Sequence, residues 1–130
     1  MSEANLELIN NYQLKEGTFL YSLLEEGVFS EPYFWDYYNA VIDIVRETMD
    51  KPLDRELTRI IFWTYKRIMR SFLCHFELND IYIIKNFPED KYIDYYERLD
   101  FMIEGYFGSF VMSERQFGDS IKNPKYPDLY

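Results

Sequence analysis

Cys74 and His75 are the chain's only cysteine and only histidine, and they are neighbours. A thiol nucleophile needs its base within hydrogen-bond reach, yet adjacent residues on a helix point about 100° apart. The pair is therefore poorly placed for nucleophilic catalysis and reads as core or boundary residues. Neither His-Glu-x-x-His nor Glu-x-x-His occurs, which removes the usual helical zinc and di-iron ligand sets. A phosphate-cradling Gly-x-x-x-x-Gly-Lys and a dinucleotide Gly-x-Gly-x-x-Gly are missing as well. Carboxylates at helical spacing exist, Asp43 with Glu47 and Asp94 with Glu97, but such pairs arise by chance in an acidic helical chain. The expectation is a protein that is not an enzyme and has no metal or cofactor site.

The elements that carry these residues are helical. The chain has 130 residues, 48% of them apolar and 20% aromatic, enough for one domain with a core of its own. One cysteine gives no internal disulfide and suits a reducing, cytoplasmic setting. Met1 to Asn11 holds acids but no Lys or Arg, unlike a signal peptide, and no apolar run approaches the ~20 residues that span a bilayer. The expected fold is an all-α, single-domain bundle of about four main helices. They run from Thr18 to Glu26 before Gly27, from Ser30 to Met49 before Pro52, from Asp54 to Leu78, and from Pro88 to Gly108. Residues 81–87 read as a short extended connector. Residues 1–14 and 109–130 read as irregular or docked tails.

Helical wheels divide each long helix. On the second helix, Phe34, Tyr37, Tyr38, Val41, Ile42 and Val45 lie opposite Trp35, Asp36, Asn39, Asp43 and Glu47. The last helix sets Tyr92, Ile93, Tyr96, Leu99 and Phe107 on its apolar arc and turns Asp94, Glu97, Arg98 and Phe101 away. The third has Ile61, Phe62, Met69, Phe72 and Phe76 facing inwards, with Arg55, Arg59, Lys66 and Arg70 as a basic stripe.

The net charge of −9 is unevenly distributed. Residues 1–50 carry ten acids against two bases, residues 51–70 six bases against two acids, and residues 71–130 eleven acids against six bases. Such a field steers a basic partner and argues against nucleic acid and anionic membrane. Trp35 stands out, because tryptophan on a polar face is typical of a binding hot spot; its alternative is packing under a loop or the C-terminal tail, as for Phe101. The candidate partner-binding set is Glu25, Glu26, Glu31, Trp35, Asp36, Asn39, Asp43 and Glu47.

Several blocks also recur in order: Gly17-Thr18-Phe19, Glu26-Gly27-Val28-Phe29, Arg55-Glu56-Leu57, Cys74-His75-Phe76, Asn79-Asp80, Glu97-Arg98-Leu99, Glu104-Gly105-Tyr106-Phe107 and Asn123-Pro124. Their order from Gly17 to Pro124 resembles the Immunity protein 41 family of bacterial polymorphic toxin systems. The resemblance implies a cytosolic protein that binds and neutralises one cognate secreted toxin, commonly a nuclease, through its basic C-terminal domain. It transfers no toxin-contact residues. The alternative is an acidic helical adaptor for a basic protein or, through the basic stripe, nucleic acid.

Overall fold

The computed structural model describes residues 2–127. Five α-helices make up its regular structure: α1 Glu3–Tyr12, α2 Phe19–Leu24, α3 Glu31–Glu47, α4 Arg55–Phe76 and α5 Tyr92–Gly108. A single 3₁₀ turn, Glu114–Gln116, follows. The described residues form no strand, so the protein is all-α. No helix among them is long and apolar enough to cross a membrane.

Side-chain caps set the helix starts. The Thr18, Ser30 and Asp54 side chains accept from the N–H groups of Tyr21, Tyr33 and Leu57, satisfying donors that the first turn leaves open. Gly27, at φ +64°, turns the chain after α2. The N-terminal stretch expected to be irregular or docked carries a helix, α1, and docks on α3. Ser2 Oγ caps α1 by accepting from Asn5 N, and Ala4, Leu8 and Asn11 form its buried face against α3. Asn11 then joins α1 to α2: its Oδ1 accepts from Leu20 N at 3.1 Å, while its Nδ2 donates to Glu7 O at 2.9 Å.

α3 lies at the centre. α1, α2 and α5 all pack on it, and ten of its residues are buried, including Trp35 and Asn39 from the half assigned to solvent. Around its first turns an aromatic cluster joins Phe19, Phe29, Phe34 and Tyr95, with edge contacts at 4.8–5.5 Å between ring centroids. Tyr37 Oη donates to Ile61 O across to α4, and burial pushes its hydroxyl pKa up.

The connector between α4 and α5 forms no strand, and its one β-bridge among the described residues sets Lys85 parallel to Val28. Lys85 N donates to Gly27 O and Phe29 N to Lys85 O. His75 anchors this connector: its Nδ1 accepts from Ile84 N at 3.0 Å, its Nε2 meets Glu89 Oε1 at 2.8 Å, and its ring stacks on Phe87. α5 ends where the chain reverses over Gly105. A Cβ on Gly105 would lie 2.3 Å from Phe110 O, and Phe110 N donates to Gly105 O.

Residues 113–126 are docked on α3 and α5. Arg98, expected to face solvent, is 1% exposed and fastens this segment. Its guanidinium donates to both carboxylate oxygens of Asp119 at 3.0 Å, to Glu114 at 2.6 and 2.7 Å, and to Ile121 O. Its flat face covers the Phe117 ring at 3.9 Å. Phe101 meets Phe117 edge-on, so both off-pattern residues of α5 are explained by the segment that covers them.

Candidate functional site

Helical spacing converges acids on one cleft. Glu3 and Glu7 are one turn apart on α1, and Asp36 and Asp43 are two turns apart on α3, so each pair shares a face. α1 lies on α3 with these faces adjoining, and residues 124–125 close one side. The result is an open cleft of about 410 Å³ with four carboxylates and a single cation, Lys125, on its walls.

Burial pushes the Glu7 carboxyl above its usual range, and the nearby Asp36 charge adds to the effect; the hydrogen bond from Asn11 opposes it. Asp36 is also raised, chiefly by burial, with Lys125 acting the other way. Both groups therefore hold negative charge at a cost that a second cation would relieve. Asp43 is already engaged by Lys125 Nζ at 2.8 Å and by the Tyr126 hydroxyl.

The eight residues singled out from sequence do not form one surface. Asp36 and Asp43 line the cleft. Trp35 is not an exposed anchor: it is 2% exposed, packed against Phe34, Tyr38 and Tyr95 and capped by the Arg98 guanidinium. Its indole N–H has no hydrogen-bond partner. Asn39, which like Trp35 borders the cleft, is buried in a reciprocal amide pair with Asn123, at 2.9 and 2.7 Å. Glu25, Glu26, Glu31 and Glu47 are exposed but lie outside the cleft. Glu25 and Glu26 follow the end of α2, Glu31 sits beside Tyr95, and Glu47 ends α3.

Sequence reasoning misses Glu3 and Glu7, because it places them in a tail expected to be irregular or docked rather than on a helix. The Ser2 cap followed by Glu3, with Ala4, Leu8 and Asn11 at helical spacing, was the available signal. On the basic stripe Arg59 bonds Glu56 and Tyr12, and next to the stripe on α4 Arg67 covers the Trp63 ring. Among the described residues no group of three or more His, Cys, Asp or Glu is placed to hold a metal ion.

The fold and cleft define a small all-α protein with an acid-lined groove. The chain matches no family model, no curated protein and no solved structure.

Proposed function

We propose that this protein is a cytoplasmic immunity protein that binds and neutralises a cognate toxin by receiving a cationic element of the toxin in the α1–α3 cleft. The observation that carries the reading is the convergence of Glu3, Glu7, Asp36 and Asp43 on a groove whose walls supply only Lys125 in return. An arginine or lysine entering there gains charge-assisted hydrogen bonds and relieves the repulsion between Glu7 and Asp36. Nuclease toxins fit this chemistry, since an active site that binds phosphate is itself basic. The ordered resemblance of the sequence to an immunity family supports the same reading, and so does the acidic bias of the first fifty residues.

The test is co-expression with the toxin domain encoded immediately upstream, followed by binding kinetics. Wild type should protect cells and form a stable complex. Reversing charge at two of the three cleft acids that form no ion pair among the described residues, as Glu7→Lys with Asp36→Lys, should slow association by about tenfold or more at low salt and flatten its salt dependence. Reversal at Glu25 and Glu47, outside the cleft, should change binding far less. A complex indifferent to the cleft reversals, or no protection at all, refutes the reading.

A further inference from the structure

The face formed by α4 and α5 exposes a run of apolar side chains and shares no lining residue with the acidic cleft. On α4, Phe62, Lys66, Met69, Leu73 and Phe76 form one stripe at three- and four-residue spacing; on α5, Ile93, Tyr96, Asp100, Glu104 and Phe107 form another. Wheel reasoning assigned the apolar members of both stripes other than Leu73 to the core, but the neighbouring helices cover only part of each arc. Leu73 remains 74% exposed, Ile93 55% and Phe107 51%. Between the two helices runs an open groove of about 550 Å³, floored by Tyr65, Met69, Phe72 and Tyr92. Contiguous apolar surface of this kind marks an interaction site.

The charges on this face indicate what covers it. α4 and α5 run antiparallel, since Phe62 meets Phe107 at one end and Phe76 meets Tyr92 at the other. Counting along both helices from these contacts places Lys66 level with Glu104 and Arg70 level with Asp100. Asp100 and Glu104 both act on the Tyr65 hydroxyl at the groove, and Lys66 and Arg70 line its α4 side. Among the described residues, none of these four charges forms an ion pair within its own chain. The face is therefore basic along one helix and acidic along the other, with apolar side chains at both ends and between.

We infer that this face joins two copies of the chain in a symmetric dimer. A two-fold axis lying in the face and parallel to the helices sets α4 of each copy over α5 of the other. That one operation brings Lys66 and Arg70 opposite Glu104 and Asp100 of the second copy, and lays Leu73 over Tyr96 and Phe62 over Phe107. An isologous interface requires self-complementarity of this type. A partner of one charge sign would meet a like-charged row along one helix or the other, which disfavours a basic toxin element or nucleic acid here. Dimerisation leaves the acidic cleft open, because the two surfaces share no residue.

Sedimentation of the purified full chain across a concentration series tests the inference. The expected result is a species of twice the 15.9 kDa chain mass. Leu73→Glu, at an exposed position, should give a monomer with an unchanged helical circular dichroism spectrum. The pair Lys66→Glu and Arg70→Glu should weaken self-association by about tenfold or more, and adding Asp100→Lys and Glu104→Lys should restore it. A wild-type monomer at the highest soluble concentration overturns the inference, as does a dimer that ignores these changes. Loss of toxin binding by a monomeric wild type on Leu73→Glu would assign the face to the toxin instead, and so would also overturn it.

Discussion

Replacing Arg98 by methionine isolates the electrostatic part of the clamp on residues 113–123. Methionine keeps an unbranched apolar stem against Phe117 and Trp35, so packing is largely preserved. What disappears is the cation between Glu114 and Asp119, whose side chains are only 8% and 4% exposed. Removing one member of a buried ion pair typically costs about 3–5 kcal/mol, because the remaining charge is left desolvated. Here two carboxylates lose the same cation, and Ile121 O loses a donor as well. The loss is capped by undocking, in which the segment swings out and rehydrates both acids at the expense of the Phe117, Ile121 and Asn123 contacts. A loss of about 3–5 kcal/mol is a large share of the ~5–15 kcal/mol total stability of a typical domain. It corresponds to a fall in Tm of roughly 10–20 °C for a chain of this size.

Urea titration followed by circular dichroism measures the global loss. Trp35 fluorescence, in a Trp63→Phe background, reports undocking directly because the indole lies under Arg98. The triple variant Arg98→Met, Glu114→Gln, Asp119→Asn should recover most of the stability, since the unpaired charges are then gone. A single variant that loses less than about 1 kcal/mol, as an exposed ion pair would, refutes the reasoning. So does a triple variant no more stable than the single.

Three further outcomes are expected. Asn39→Ala and Asn123→Ala should each cost about 1–3 kcal/mol by stranding a buried amide; a double-mutant cycle should show the losses to be strongly non-additive. Gly105→Ala should destabilise by about 1–3 kcal/mol or more, because the new methyl meets the Phe110 carbonyl and backbone must move; urea midpoints check it. Burial raises the Glu7 pKa in the folded state, the Asp36 charge adds to the rise and the Asn11 hydrogen bond opposes it, so the native protein binds more protons than the unfolded chain just above the ordinary glutamate value. Stability then falls as pH rises through that window. Glu7→Gln should therefore be more stable than wild type at neutral pH, with the advantage vanishing below the ordinary value of 4.5, as read from urea midpoints against pH.

The long helices were legible because their signals are local: Ser30 and Asp54 announce their own caps, and Gly27 its own turn. α1 was obscured by its three asparagines, and Asn11 faces inwards only because Leu20 N needs an acceptor there, a reason lying nine residues away. Wheel reasoning failed at Trp35 and Asn39 for a physical cause. A wheel assumes one buried side, whereas α3 is enclosed by α1, α5 and the segment containing Asn123. Arg98 was misread in the same way, since the acids that draw it inwards, Glu114 and Asp119, sit on a stretch without periodicity. The cleft was half legible, through Asp36 and Asp43, because its other wall depended on recognising α1.

The docking of residues 113–126 sets an order of events during synthesis. Asn39 and Asp43 on α3 find their partners 82–84 positions further along the chain. A nascent polypeptide thus has α1 to α4 in hand while Trp35 still lacks its cover, and contacts of such long sequence separation close late. Residues 113–126 emerge after all five helices, and their docking completes the core and builds one wall of the acidic cleft.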